Sequence, residues 1–366
     1  MMNQKIRAIG AAVLVALWIV LTAFAWFSPA KATSEAERRP LEQMPEFTAE
    51  NIFGGSFMKD FESYTLDQFP GRDAFRQLKS LFHYFVLQQQ DNNDIYISNG
   101  YAAEMAYPLD ELSVERAMLQ YQKVYDKYLA DAGCKVYTTV VPDKSYYLAE
   151  QSGHLAMDYE KLFAMVDGAL ENDTYVDITD TLSVEDYYFT DTHWRQEHLL
   201  ETAGKLCQAM GVTGPVAEDY TAIALERPFY GVYYGQAALP MDSETMYLME
   251  SRLLKECKVY NYVDGSYSQV YDMTRLDSKD LYDVYLSGMQ SLLRIENPNA
   301  KTDRELVVFR DSFGSSLVPL LVQDYATVTL VDLRYINAEF LGNYMEFDGQ
   351  DVLFMYSSLV LNKKLL

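Results

Sequence analysis

The sequence predicts an α/β fold built on a parallel sheet, and three observations carry that prediction. Short apolar or β-branched runs at 136–141, 175–178, 306–309, 327–331 and 352–356 alternate with stretches whose apolar residues recur at helical spacing. These runs fall into two blocks, separated by a differently patterned region at about 214–285. Finally, the run at 306–309 breaks into Arg310-Asp311-Ser312-Phe313-Gly314 and resumes as Leu317-Val318-Pro319-Leu320-Leu321, the pattern of a buried strand, a sharp turn and a helix start. With 366 residues and 49% hydrophobic composition, the chain can bury a sizeable core in one large domain, or in one domain plus a smaller module.

Composition narrows the partners. A formal charge of −23 argues against nucleic acid, which demands a basic face to neutralise phosphates. Cys134, Cys207 and Cys257 are too few and too scattered for a disulfide framework or a zinc knuckle, although one pair could still bridge. The 30 tyrosines are read as amphipathic residues of the core edge rather than as stacking platforms for sugars.

Taken in order, the chain begins with Lys5 and Arg7 ahead of an uncharged, mostly apolar run at 8–27, whose 20 residues match the length of a membrane-crossing helix. The h-region of a cleaved signal peptide is shorter, about 7–15 residues, which favours an uncleaved anchor, although Ala30-Lys31-Ala32 resembles a cleavage site. The basic residues ahead of the run place that end in the cytoplasm and the body of the chain outside, with Lys31, Arg38 and Arg39 weakening the asymmetry. Residues 1–32 are therefore expected to form a cytoplasmic tip and membrane anchor, or a signal peptide that releases a secreted protein. Residues 33–66 combine Ser, Glu, Arg and Pro with sparse hydrophobics and read as a surface tether, leaving 67–366 as the folded domain.

That domain opens with the turn Asp67-Gln68-Phe69-Pro70-Gly71-Arg72-Asp73 and a helix carrying Phe75, Leu78, Phe82 and Phe85 on one face. A second helix is expected from a Ser113 cap to Gly133, burying Met118, Tyr121, Tyr125 and Tyr128. Further helices are expected at 159–170, at 338–345, and after Trp194, where Leu199, Ala203, Leu206 and Met210 share a face. The region 214–285 reads as a β-rich insertion, with Asp264-Gly265 turning a hairpin between 259–263 and 266–267.

A Ser at the end of a parallel strand, ahead of a helix, points its hydroxyl into the crevice where open α/β sheets bind ligands, so Ser312 is a candidate nucleophile. Asp311 or Ser312 as a simple helix cap is the competing reading. Histidines occur only at 83, 154, 193 and 198, and His193 alone sits in a loop beside a carboxylate, in Asp191-Thr192-His193-Trp194. In Asp-x-His, the Asp can hold one imidazole nitrogen while the other faces a Ser from another strand, which is the requirement of a Ser-His-Asp triad. A metal site from Asp191, His193, Glu197 and His198 lacks a second His at the i+4 position and is not expected; nor is any cofactor. A capping Asp191 beside a buried His193 stays open on spacing alone. Arg310, Asp311, Lys144 and Arg334, at or beside strand ends, and Trp194, at the opening of a helix, are candidates for substrate contact or structural support.

Asp191-Thr192-His193-Trp194 resembles the D-x-H-W signature of the DHHW family, and Arg310-Asp311-Ser312-Phe313 resembles its R/K-D-S-F block. The 67–73 turn and Val141-Pro142-Asp143-Lys144 resemble further blocks, so the likeness spans most of the chain beyond residue 33. That family is similar to the SGNH-like O-acetyltransferases of alginate and other exported polysaccharides. The resemblance implies an SGNH-like, flavodoxin-like parallel sheet with helices on both faces, circularly permuted so that the D-x-H block precedes the Ser block. The strands at 306–309, 327–331 and 352–356 would then be the first three, and those at 136–141 and 175–178 the last two. It also implies Ser312 as nucleophile, His193 as base and Asp191 as its orienter. Arg310 stands where the simple SGNH pattern has Gly, and no G-x-N-D block follows the third strand, so the oxyanion site is unassigned beyond the Ser312 N–H.

The resulting expectation is a membrane-anchored, extracytoplasmic O-acyltransferase that passes an acetyl group from a membrane-bound acyltransferase partner to a polysaccharide hydroxyl. A carbohydrate esterase uses the same acyl-enzyme, and a non-catalytic glycan-binding or scaffold protein of a polysaccharide export system is the alternative from another class.

Overall fold

The computed structural model describes residues 2–34, 36–364 and 366. The chain divides into two compact units, one made of Met1–Asn92 with Tyr234–Pro240 and the other of Asn93–Tyr233 with Met241–Leu366.

The first unit opens with α1 (Met2–Phe27), whose segment Ile6–Phe27 is long and apolar enough to cross a membrane. The side chain of Lys5 lies outside the described residues. A two-residue hairpin of β1 (Thr33–Ser34) and β2 (Arg39–Pro40) follows, then α2 (Ala49–Phe53), α3 (Ser56–Asp67) and α4 (Arg72–Leu81), which runs on into a π turn at Phe82–Val86. The helices α2 and α3 thus lie almost wholly within the 33–66 stretch read as a surface tether. Local capping explains α2: the Thr48 hydroxyl accepts from the Asn51 N–H at 3.2 Å.

The second unit is the α/β body. After the hairpin of β3 (Ile95–Ser98) and β4 (Tyr101–Glu104) come β5 (Lys135–Val141) and β6 (Asp173–Tyr175), the antiparallel pair β7 (Thr221–Phe229) and β8 (Glu244–Glu250), and then β9 (Lys258–Asn261), β10 (Tyr267–Ser268), β11 (Leu292–Glu296), β12 (Glu305–Arg310), β13 (Thr327–Val331) and β14 (Asp351–Ser357). The central sheet has eight strands in the order β10-β9-β11-β13-β12-β14-β5-β6. Its right-hand five are parallel, and β11, β9 and β10 continue it antiparallel.

Counting from β12 as the first strand, the parallel part reads 2-1-3-4-5, the flavodoxin-like order, with the chain entering at the fourth strand. This is the permuted arrangement that the motif order implies. Three features of the sheet differ from expectation, the first being that the strand expected at 175–178 lies at Asp173–Tyr175. The strand Leu292–Glu296 has no counterpart among the predicted ones, and the 259–267 hairpin extends the main sheet's edge instead of forming a separate lobe.

Alternation along the strands explains the two-sided burial. Leu306, Val308, Leu353 and Met355 face a cluster with Ala203, Leu206 and Met210 of α8 (Leu200–Met210). Val307, Phe309, Val352 and Phe354 face the opposite cluster, with Val114, Ala117, Tyr121 and Val124 of α5 (Glu111–Val124) and, beyond α6 (Lys144–Ser152) in the chain, Leu162 and Val166 of α7 (Tyr159–Asp167). Strands buried on both faces read as continuous apolar runs, which is why they were visible in the sequence. The cap of α5 is Asp110, three residues ahead of the expected Ser113. Asp110 accepts from the Ser113 N–H at 3.1 Å, and the Ser113 hydroxyl is spent on the Leu361 carbonyl at 2.8 Å. The helix at 338–345 is a 3₁₀ segment, Ala338–Asn343. All three cysteines are free.

Phe354 lies in the middle of this packing, fully buried, stacked on Phe309 at 4.6 Å and on Tyr121 at 4.4 Å between ring centroids. Phe354→Ala leaves a cavity that a rigid sheet cannot close, and urea denaturation is expected to show a loss of about 3–5 kcal/mol.

Candidate active site

Ser312 is the second residue after β12, at the carboxyl end of the sheet and beside the point where the strand order reverses. The turn is shaped by Asp311, which is completely buried. One of its carboxylate oxygens accepts from the Phe313 N–H at 3.0 Å, and the other from the Ser357 N–H at 2.8 Å, at the end of β14. A single side chain thus ties together the two strands that flank the crevice. Gly314 lets the short helix behind the turn approach, since a Cβ there would lie 2.8 Å from the Cβ of Arg310.

His193 arrives from the segment between β6 and α8. The isolated bridge between Tyr187 and Trp194, with the Tyr188 N–H donating to the His193 carbonyl at 3.1 Å, closes this segment into a tight loop. Inside the loop, Asp191 Oδ1 accepts from the His193 N–H at 3.0 Å and stands 2.5 Å from His193 Nδ1, while Oδ2 accepts from the Val232 N–H at 2.8 Å. His193 Nε2 stands 2.8 Å from Ser312 Oγ. Asp191 is fully buried, His193 is 7% exposed, and Ser312 is half-buried, so the chain of three opens to solvent at its serine end.

The imidazole is also held by its face. Tyr282 stacks on it with ring centroids 3.9 Å apart and an 11° interplanar angle, and the Tyr282 hydroxyl hydrogen-bonds Ser316 Oγ at 2.7 Å. Trp194 is buried and donates its indole N–H to Ser316 Oγ at 2.9 Å and to the Phe313 carbonyl at 3.2 Å. Gln196 donates to the Ser316 carbonyl at 2.8 Å and accepts from the Met249 N–H at 2.8 Å and the Tyr271 hydroxyl at 3.0 Å. Trp194 and Gln196 therefore dock the histidine loop onto the serine turn.

Glu244, at the start of β8, accepts from the Phe189 and Thr190 N–H groups at 2.8 and 2.9 Å and from the Thr190 hydroxyl at 3.0 Å, and pairs with Arg195 at 2.6 Å. Gly231 donates its N–H to the Thr190 hydroxyl at 2.9 Å, and a Cβ there would lie 2.3 Å from Asp191 Cα and Cβ. Glu244, Gly231, Tyr282 and Gln196 carried no sequence signal: three of them lie in the region read as an insertion, and an isolated Gly, Glu or Tyr there has no motif around it.

The other candidates take structural positions. Lys144, a candidate for substrate contact or structural support, is buried and donates to the Tyr188 carbonyl at 2.9 Å and the Phe189 carbonyl at 3.4 Å, with its ammonium 5.0 Å from the Tyr233 ring centroid. Burial pulls its pKa down to about 7, against the opposing pull of Asp191 and Glu244. Arg310 is buried beneath the turn, with its Nη1 on the Asp311 carbonyl at 3.2 Å; burial lowers its pKa and the neighbouring Asp332 opposes this. Arg334 forks onto Asp332 at 2.9 and 2.6 Å. Of the residues weighed as metal ligands, Glu197 lies 3.6 Å from Arg195 and His198 bonds Asp186 at 3.0 Å, away from the Asp191–His193 pair. Among the described residues no cluster of three or more His, Cys, Asp or Glu is placed to hold a metal ion.

The Lys144 environment fixes the sign of a pH effect. The unfolded lysine stays protonated up to about 10.4, whereas the folded one gives up its proton from about 7. Between those values the unfolded state binds more protons, so stability rises with pH, and below about 7 the full cost of burying the charge is present. Neutral Lys144 still donates to both carbonyls. Urea denaturation is therefore expected to show wild type gaining on Lys144→Met by about 1 kcal/mol per pH unit between pH ~7.5 and ~9.5, with no such trend below pH ~6.5.

No protein-family model matches the chain, and no curated protein is significantly similar to it. Solved structures do share the fold. A DHHW family protein from Eubacterium siraeum aligns over 74% of this chain and 93% of its own, with a TM-score of 0.60 and 19% identity. Bacillus cereus PatB1, in a structure with a sulfonyl adduct, aligns over 74% of this chain and 96% of its own, with a TM-score of 0.58 and 16% identity. A second PatB1 structure gives a TM-score of 0.56 and 17% identity, over 74% and 98% of the two chains. The DHHW resemblance carried by the two short motifs is thus matched by a DHHW family protein among the fold neighbours.

Proposed function

We propose that this chain is an extracytoplasmic O-acyltransferase that moves an acetyl group through Ser312 to a hydroxyl of a cell-surface or exported polysaccharide. The observation that carries the reading is the hydrogen-bond chain from Asp191 Oδ1 through His193 to Ser312 Oγ, at the carboxyl edge of the sheet where the strand order reverses. Residues 119 apart in sequence meet there at 2.8 Å. The DHHW-type motifs support acetyl transfer as the reaction class and a polysaccharide as acceptor; the apolar helix α1 supports a single-pass anchor and a membrane-bound acyltransferase as donor.

In the first half-reaction Ser312 Oγ attacks the acyl carbonyl of the donor while its proton passes to His193 Nε2. The donor's leaving group departs with that proton, giving acyl-Ser312 and neutral His193. In the second half-reaction a sugar hydroxyl attacks the same carbonyl, His193 Nε2 takes its proton, and the tetrahedral intermediate collapses to acetylated sugar as the proton returns to Ser312 Oγ. Asp191 holds Nδ1–H, fixes the tautomer that leaves Nε2 as the base, and stabilises the transient imidazolium. Water in place of the sugar would make the protein an esterase, so the acceptor is the property to test.

Sulfonyl reagents capture activated serines, and a sulfonyl adduct is recorded for PatB1. Incubation with phenylmethylsulfonyl fluoride is expected to add one sulfonyl group to the wild-type chain at Ser312 by peptide mass spectrometry and none to Ser312→Ala. Asp191→Asn should slow turnover of an activated acetyl ester by about 10⁴-fold. In the same assay, sugar acetylation that disappears in Ser312→Ala supports transfer, whereas acetate release indifferent to added oligosaccharide would make the protein an esterase. Labelling of Ser312→Ala equal to wild type would remove Ser312 from the chemistry.

Gly231→Ala tests the support of Asp191 without touching the three groups. Its Cβ displaces the Asp191 backbone, and a displacement on the order of 1 Å is expected to lower kcat about 10²-fold while KM for the ester and the far-ultraviolet circular dichroism stay close to wild type.

A further inference from the structure

A helix that packs on its own protein through polar residues and shows water its apolar side has its faces reversed for a soluble domain, and α4 is such a helix. Along its inward side Arg72 and Arg76 both pair with Glu37, at 2.5 and 3.2 Å, and Arg76 also donates to the Gly235 carbonyl at 2.9 Å. Ser80, one turn on, accepts from Asn92 at 2.8 Å and is the buried residue of the helix. On the outward side Phe75, Leu78, Phe82 and Phe85 are 51, 62, 50 and 67% exposed, and Val86 and Leu87 extend the row. The preceding helices add Phe53 and Met58, 90 and 68% exposed. Single exposed apolar side chains are ordinary; a row of four large ones at helical spacing is not.

What covers this row follows from where α4 begins. The Lys31 peptide, just past the end of α1, is gripped from both sides by Gln68, just before α4. Its N–H donates to Gln68 Oε1 at 2.8 Å, and its carbonyl accepts from Gln68 Nε2 at 2.9 Å and from Gln43 Nε2 at 3.0 Å. Phe24 and Ser28 of the α1 end line one cleft with Phe69, Gly71 and Ala74 at the start of α4. The apolar row therefore starts at the level where the membrane-length helix ends. Acidic residues outnumber basic ones between 42 and 91, so attraction to anionic headgroups is not what seats it.

We propose that α4 and its π turn lie on the bilayer surface, with Phe75, Leu78, Phe82 and Phe85 sunk among the headgroups and first methylenes, so that the first unit rests on the membrane as well as being anchored in it. The proposal rests on the reading of α1 as a membrane span and adds a second, in-plane contact.

The test uses the full chain in phosphatidylcholine nanodiscs, in a Cys134→Ser background, with an environment-sensitive fluorophore on Leu78→Cys, Phe85→Cys or, as the anchor control, Trp18→Cys. Labels at 78 and 85 are expected to emit at shorter wavelength than in detergent-free buffer models of the fluorophore, to be quenched by acyl-chain spin-labelled lipid, and to resist aqueous iodide. Labels at 78 and 85 that iodide quenches and spin-labelled lipid does not, with the label at 18 still quenched by lipid, would overturn the proposal while leaving the anchor intact and turn attention to a protein partner for this face. A label at 18 that iodide reaches would remove the anchor reading and the surface contact with it.

Discussion

The site depends on the docking of one loop onto one turn. His193 and Ser312 come from opposite blocks of the sequence, and neither a strand pairing nor a helix joins them directly. The join is made by their neighbours: the Trp194 indole N–H and the Gln196 amide grip the Phe313 carbonyl, the Ser316 hydroxyl and the Ser316 carbonyl, all behind the serine. Every one of these bonds is buried, where an unmade bond costs about 1–3 kcal/mol. Sliding the loop along the turn would therefore orphan several groups at once, so the His193–Ser312 distance is held by contacts on the far side of both residues.

The same logic extends outward to the acids. Asp191, Asp311 and Glu244 are buried, and each accepts from two backbone N–H groups: His193 and Val232 for the first, Phe313 and Ser357 for the second, Phe189 and Thr190 for the third. A carboxylate bonded to main chain fixes chain path as well as charge. Asp311 fixes the crevice between β12 and β14, Glu244 fixes the loop ahead of Asp191, and Asp191 fixes the imidazole. Lys144 completes the set from below, since its two acceptors, the Tyr188 and Phe189 carbonyls, belong to the loop that Glu244 holds from its N–H side.

The parallel sheet was legible because strands covered on both faces are apolar throughout, and the 306–309 and 352–356 runs need no periodicity argument. The scarcity of histidine and the aspartate beside one copy bring Asp191, His193 and Ser312 forward as candidates, but spacing alone leaves the capping reading open, and it is the DHHW resemblance that favours a triad. The strand Leu292–Glu296 escaped because Arg294 and Glu296 interrupt its apolar run; they pair with each other at 2.7 Å along one partly exposed face of the strand. The helices at 49–67 escaped because none of the residues of α2 is buried and only Asp67 of α3 is, so no amphipathic signal toward a core exists in them. For Lys144 the sequence leaves substrate contact and structural support both open, because nothing in it announces the acceptors, which are carbonyls more than forty residues away.

The insertion gives the fold its asymmetry and shows what the sheet alone cannot supply. A flavodoxin-like sheet presents a serine at its switch point but leaves the histidine's ring face uncovered. Tyr282 fills that place, and it is fixed in turn by Ser316, the residue that also takes the Trp194 N–H. Ser316 therefore receives the loop from one side and the insertion from the other, one helical turn behind Ser312. A hydroxyl with one proton and two lone pairs can serve both partners, accepting from the indole and exchanging a hydrogen bond with the phenol. Alanine at this position would take away the partner of the buried Tyr282 hydroxyl and leave the Trp194 indole N–H only its longer bond to the Phe313 carbonyl, which makes a residue with no part in the proposed proton transfers the point through which the insertion, the histidine loop and the serine turn are held in register.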